Sequence, residues 1–384
     1  MNAACRPLDD QGPQPYDGRR YPAGGQPQIV VIVSGWPRVS ETFALNELIA
    51  LRRRGLLLAV YATKSGDASL RQPQCDELDD LVHVLAEGTV DEQVAEVVDH
   101  VGRLGCGRPS GFHGYFAHRP TAIAAGAAMR LGVPYGFSVH ALDARKVPAD
   151  ELAAQARGAA IVLACNRDVA CTLHVAGATP TLLPHGVDLD RFVPTLPIRT
   201  NRVELLAVGR LVDKKGFDVL IEAIHLVDAD VHLRIIGGGA LRPVLEQRVA
   251  HYHLGTQVTF VGRRTHDELP ACYAASDVVV VPSVIDARGD RDGLPNVVLE
   301  AMGCGRPVIA SDVAAIPTAV IDGATGWLVT PGDAEALAAA IDRAATSPAV
   351  RRKFGAAGRQ RVERCFDLDA CSTRFCDELE IAYA

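Results

Sequence analysis

No stretch of the 384-residue chain approaches the ~18 consecutive apolar residues of a membrane span, so any membrane contact is peripheral. Residues 1–28 are rich in Pro, Gly, Gln and Asp. They lack the apolar region of a signal peptide and read as a disordered leader, which points to a cytoplasmic chain. Positive charge is not in excess. The net charge is −7, which argues against a nucleic-acid partner, because phosphate affinity rests on clustered Lys and Arg. The ten cysteines form no C-x-x-C pair, which excludes zinc-finger spacing and suggests reduced thiols. His113 and His118 flank a strand end without a third ligand, so no metal site is expected. The G-x-x-x-x-G-K-[ST] spacing of a P-loop is missing, and "IIGGGALRP" (235–243) is not G-x-G-x-x-G. Its glycines read better as a place of close backbone packing.

What is present is regular. Hydrophobic residues make up 48% and charged residues 22%, a globular composition, and the length suits two domains. Short β-branched runs that read as apolar on both faces, such as "IVVIVS" (29–34), alternate with amphipathic segments, such as the helix from Ser40 to Gly55. This is the pattern of a parallel sheet covered on both faces. It breaks at "HGVDLDRFVPTLPIRTNR" (185–202), a run of turn signals read as a linker, and then restarts. The expected organisation is a leader (1–28), a first Rossmann-like domain (29–190), a second (191–366), and a terminal helix (367–384) that packs across the boundary. Two doubly wound α/β halves would put the carboxyl ends of their strands on a cleft, where such sheets bind ligands.

Three stretches carry chemistry. "VGRLVDKKGFD" (208–218) leaves a strand and enters a helix, with Arg210 and Lys215 around a glycine turn and Lys214 beside them. Two cations and free amides at such a junction suit a phosphate or diphosphate. "DRDGLPNVVLE" (290–300) follows the strand "DVVVVPS". Pro295 suits a first helical turn, so Gly293, Leu294, Pro295, Asn296 and Val297 would form an amide-lined helix start. Asp292 would lie beside it on the loop and Glu300 about one turn in. Carboxylates that accept from vicinal hydroxyls, next to amides that hold phosphate, suit a polyhydroxylated anion. "YGFSVHALD" puts His140 at the carboxyl end of a first-half strand.

Together with "FVGRRTHDEL", "AMGCGRPVIASD" and "DGATGWLV", these motifs resemble the retaining GT-B glycosyltransferases of family 4. "WPRVSETFALNELIALRRRG", "GYFAHRPTAIAAGAA" and "FSVHALD" resemble the bacterial exopolysaccharide subgroup of colanic-acid and amylovoran type. The resemblance implies an α/β GT-B fold, two Rossmann-like domains facing across a cleft. It also implies transfer of a hexose-type sugar from a nucleotide-diphosphate sugar to a hydroxyl acceptor on a saccharide, a lipid carrier or a small molecule, without a metal or other cofactor. Arg210 and Lys215 would hold the diphosphate, Glu300 the ribose, Asp292 the sugar ring, and the backbone of 293–297 sugar and phosphate. His140 would contact the donor sugar near the reaction centre. The family motif usually has Glu where this chain has Asp292, and its N-terminal Gly-Gly loop is replaced by "SGWPRVSETF". A GT-B epimerase, a catalytically weak sugar-nucleotide binder and a phosphorylase-like enzyme are the alternatives.

Overall fold

The computed structural model describes residues 26–38, 41–66, 71–141, 143–195 and 202–384. The chain forms two compact units, one of residues 1–186 with 369–384, the other of Val187–Leu368. Most of the leader, and Ser40, lie outside the described residues. Gln26 and Gln28 do not belong with a leader: Gln26 donates to Arg54 O, Gln28 donates to Gly55 O, and the Gln28 backbone exchanges hydrogen bonds with Ser110.

In the first unit the order is β1 (Ile29–Val33), α1 (Thr42–Arg53), β2 (Leu57–Ala62), β3 (Val82–Val84), α2 (Val90–Arg103), β4 (Gly111–Tyr115), α3 (Arg119–Leu131), β5 (Tyr135–Val139), α4 (Asp143–Lys146), α5 (Ala149–Gly158), β6 (Ile161–Ala164), α6 (Arg167–Val175) and β7 (Thr181–Leu182). The seven strands pair in parallel in the order β3-β2-β1-β4-β5-β6-β7. Every residue of β1 is buried because both faces are covered. Val30 and Ile32 pack in one cluster with residues of α2 and α3, while Ile29, Val31 and Val33 pack in another with residues of α1 and of the chain's last helix.

The second unit runs β8 (Val203–Val208), α7 (Phe217–Leu226), β9 (Val231–Ile236), α8 (Arg242–His251), β10 (Val258–Gly262), α9 (Leu269–Ala274), β11 (Val278–Val281), α10 (Asn296–Gly303), β12 (Val308–Ser311), α11 (Ile316–Ala319), β13 (Gly326–Val329), α12 (Ala334–Thr346) and α13 (Pro348–Cys365). Its parallel sheet is ordered β10-β9-β8-β11-β12-β13. The order reverses between β8 and β11, which makes the loops after these two strands the place where a doubly wound sheet opens to ligands. The segment read as a linker is already part of this unit at its start. Phe192 is buried in the core, and Val187 bridges to Asp367.

The last helix, α14 (Leu368–Tyr383), is counted with the first unit from Asp369 onward. Its Phe375, Cys376, Leu379 and Tyr383 are buried against the β1–α1 side of the sheet. A Cβ on Gly111 would lie 2.2 Å from the Tyr383 ring and one on Gly136 2.7 Å from its hydroxyl, so these glycines make the seat for that side chain. Arg54 pairs with Asp377 at 2.5 Å and with Glu380 at 2.9 Å. Of the cysteines, Cys75, Cys106, Cys165, Cys272, Cys304, Cys365, Cys371 and Cys376 are free thiols.

Candidate functional site

In the second unit the loop after β8 is held from below by glycines. Gly209 donates to Ile236 O and Leu211 to Gly238 O. A Cβ on Gly237 would sit 1.8 Å from Gly209 O, and one on Gly239 2.4 Å from Leu211 O. The "GGG" run therefore lets the cation loop lie directly on the next βα turn. Beyond it, Asp213–Lys215 form one 3-10 turn that ends at Gly216, whose φ of +62° is the left-handed region. A Cβ there would meet Pro282 O at 2.0 Å, and Val284 donates to Lys214 O. The β8 and β11 loops are thus laid against each other.

This contact brings the charged groups together. Lys215 Nζ lies 2.7 Å from Asp292 Oδ2, which also accepts from Ser283 Oγ at 2.9 Å. Lys214 Nζ is 3.0 Å from Asp290 and 3.8 Å from Asp292 Oδ1. The side chains of Lys215 and Asp292 are only 16% and 10% exposed, so their attraction is weakly screened by solvent. Arg210 is exposed and has no ion-pair partner among the described residues. After Asp292, α10 starts at Asn296, with Pro295 as its N-cap rather than its first helical residue. Gly293, Leu294 and Val297 donate their backbone N–H to no carbonyl among the described residues, as expected at a helix start.

Glu300 is buried one turn into α10. Tyr273 donates its hydroxyl to Oε2 at 2.6 Å, and His266 Nε2 lies 3.4 Å from Oε1. Arg191 Nη1 is 2.9 Å from His266 Nδ1. Arginine can only donate, so Nδ1 accepts and Nε2 carries the hydrogen towards Glu300. Burial, then the Glu300 charge, hold the Tyr273 phenol well above its ordinary pKa, and Tyr273 stays a donor. These contacts fix the carboxylate of Glu300 in place.

In the first unit His140 caps β5. It is sandwiched between aromatic rings: Tyr115 stacked at 5.0 Å, Phe116 at 4.8 Å, Phe43 at 5.0 Å, and His185 parallel to within 5° at 5.2 Å. Asp143 lies 3.8 Å from Nδ1, too far for a hydrogen bond, and neither ring nitrogen has a hydrogen-bond partner among the described residues. His113 is a different case. Tyr383 donates to Phe112 O and so accepts from His113 Nδ1, leaving Nε2 to accept from Ser138. Burial, with a smaller contribution from His140, drives the His113 pKa down to about 3. It is a neutral core histidine. No group of three or more His, Cys, Asp or Glu side chains that could hold a metal occurs among the described residues.

The residues picked out in the second half therefore fall on adjoining loops and one helix: Arg210 and Lys215 after β8, Asp292 to Val297 after β11, and Glu300 on α10. The pairing of Lys215 with Asp292 was not anticipated, nor were Lys214, Ser283, Tyr273, His266 and Arg191 as their supports. Residues 190–361 match the family described as glycosyl transferases group 1. The match covers most of the second unit. The chain is 35% identical over 190 residues to a GDP-mannose-dependent alpha-(1-6)-phosphatidylinositol monomannoside mannosyltransferase of Mycolicibacterium smegmatis, over 46% of this chain and 50% of that one. It is 33% identical over 199 residues to the amylovoran biosynthesis glycosyltransferase AmsK of Erwinia amylovora, over 51% and 49%. The alignments thus span about half the length of these relatives. The fold match is wider. HepE of Anabaena in complex with UDP superposes with a TM-score of 0.77 at 20% identity, over 92% of this chain and 100% of that one. Sucrose-phosphate synthase of Thermosynechococcus elongatus does so with 0.76 at 24%, over 93% and 99%. Both units thus have the Rossmann-like architecture of the GT-B fold.

Proposed function

We propose that the chain is a retaining glycosyltransferase that moves a hexose-type sugar from a nucleotide-diphosphate sugar to a hydroxyl acceptor. One observation carries this: at the switch point of the second sheet, cationic side chains and backbone amides at a helix start stand beside a fixed aspartate and a fixed glutamate. That set matches a diphosphate flanked by two polyols. Arg210, Lys215 and the amides of Gly293, Leu294 and Val297 take the diphosphate, Glu300 the ribose, and Asp292 a hydroxyl of the transferred sugar. The nucleotide and acceptor named for the relatives above support this reading, as does the UDP held by HepE. In the transfer, the bond from the sugar's C1 to the phosphate oxygen breaks. The acceptor oxygen bonds to C1 on the same face, and its proton passes to the departing phosphate. The protein's part is to position the reactants and to stabilise the leaving charge with fixed cations and dipoles. His140, with two unpartnered nitrogens, serves the donor sugar. The cations come from the chain, so turnover is expected to survive EDTA.

No helix among the described residues is long and apolar enough to cross a membrane. A lipid-linked acceptor would be met by peripheral contact at the inner membrane face, and a saccharide or small-molecule acceptor in solution. The test is incubation with UDP-, GDP- and ADP-sugars, with and without lipid-linked acceptors, followed by product analysis for anomeric configuration. A product of inverted configuration, or consumption of donor that yields an isomerised nucleotide sugar with no acceptor, would sink the proposal. Asp292→Asn separates the roles: it is expected to slow transfer while free nucleoside diphosphate binds nearly as before.

A further inference from the structure

Glu47 lies on the buried face of α1 between Leu45 and Leu48. It accepts from the Tyr115 hydroxyl on one oxygen, and its other oxygen is 2.9 Å from His185 Nδ1. His185 comes from the segment after β7, and its own Nε2 is buried without a hydrogen-bond partner among the described residues. Its ring lies parallel to His140 at 5.2 Å, and Phe43 stacks on it at 4.4 Å. A buried acid and a half-buried histidine, 138 residues apart in the chain, thus meet directly behind His140, the one buried imidazole with both ring nitrogens lacking a hydrogen-bond partner among the described residues.

We propose that Glu47 and His185 are positioning residues for His140: the ion pair, anchored by Tyr115, fixes the plane of the His140 ring and sets the charge that ring faces. This rests on the proposed role of His140 at the donor sugar. The protonation states support the geometry. Burial disfavours a charged His185, but Glu47 and Cys165 together outweigh it and take the His185 pKa up to about 10. Burial, and after it the His185 charge, hold the His140 pKa below its ordinary 6.5 against the pull of Asp143. The titratable groups around the two rings are Glu47 on α1, Glu41 ahead of it, His113 and Tyr115 on β4, His118 beyond it, Asp143 on α4 and Cys165 after β6. A neutral His140 offers a sugar hydroxyl one donor and one acceptor, whereas an imidazolium offers donors only.

The test begins with histidine-labelled full-length wild-type protein titrated by NMR. His185 is expected to stay protonated through pH 8 while His140 titrates below the ordinary imidazole range. In His185→Gln the His140 pKa should rise, because a facing positive charge is removed. The acid limb of the kcat profile should move up with it, lowering kcat on the acid side with little change in KM for the donor. The loss in His140→Ala combined with His185→Gln should equal that of His140→Ala alone. If His185→Gln does not fold, Glu47→Gln, which keeps the shape, should neutralise His185 by pH 8. A neutral His185 in the wild type at pH 7, an unmoved His140 titration in a folded variant, or additive losses would overturn the proposal. The NMR arm needs no turnover, so its failure is distinct from failure of the transferase reading.

Discussion

Arg210 and Lys215 were paired by their spacing, but their surroundings divide them. Arg210 is exposed and has no ion-pair partner among the described residues, whereas Lys215 neutralises Asp292. Each should give a phosphate a charge-assisted hydrogen bond, so replacement by Ala is expected to weaken nucleoside diphosphate binding by about ten- to a hundredfold. Only Lys215→Ala should also lower the melting temperature, because it takes away the nearest cation from a mostly buried carboxylate. Calorimetric binding and thermal melts of both variants check this, and equal melting temperatures would argue that the ion pair contributes nothing to stability. Glu41 makes a separate prediction. Burial, opposed by its ion pair with Arg38 and reinforced by Asp143, raises its pKa from 4.5 to about 7. The folded state therefore binds this proton more tightly than the unfolded chain. The stability gained is complete below about pH 4.5 and is lost as pH rises through about 7. Glu41→Gln cannot lose it. The melting temperature of the variant relative to wild type should rise between pH 5 and pH 8, and a flat difference would contradict a net cost of burying this charge.

At the scale of elements, the loop after β8 works because Gly216 takes a left-handed conformation against Pro282. Gly216→Ala combines a strained backbone with a contact of 2.0 Å to Pro282 O, which must push the two loops apart. Strain of this kind costs about 1–3 kcal/mol, or about 2–4 °C of melting temperature per kcal/mol in a unit of this size. Nucleoside diphosphate affinity should fall in step, since the cation loop moves with it, and unchanged affinity in a destabilised variant would separate loop geometry from binding. The strands and helices that frame these loops were legible because a doubly covered parallel strand must be apolar throughout, as "IVVIV" and "VVVV" are. β3 was not, because "VHV" is short and lies only partly buried at a sheet edge. The cations, acids and glycines after β8 and β11 were legible as types that suit a diphosphate sugar. Their supports were not: Tyr273 reaches Glu300 across 27 residues and Glu47 reaches His185 across 138. Glu47 did leave a local signal, an acid between Leu45 and Leu48 on an otherwise apolar stripe.

For the whole molecule, the feature with the widest reach is α14. Sequence periodicity identifies it as a helix, but its seat is made by Gly111 and Gly136, whose missing side chains admit Tyr383. A chain ending at residue 367 would uncover the apolar surface that Phe375, Cys376, Leu379 and Tyr383 fill. It would also remove the oxygen that accepts from buried His113 Nδ1. Calorimetry is expected to show the first unit's transition lost or strongly lowered, while the second unit still melts cooperatively and binds nucleoside diphosphate. Two intact transitions would show that α14 is dispensable. The placement of α14 also orders events on the ribosome. Residues 369–384 leave the exit tunnel only after all of Val187–Leu368 has been made. The second unit can therefore complete its core during synthesis, whereas the first must wait with the α14-facing part of its β1–α1 side uncovered. A pause or truncation late in translation would leave a folded second unit tethered to an unfinished partner with an exposed apolar surface, the kind of surface that holding chaperones and proteases recognise.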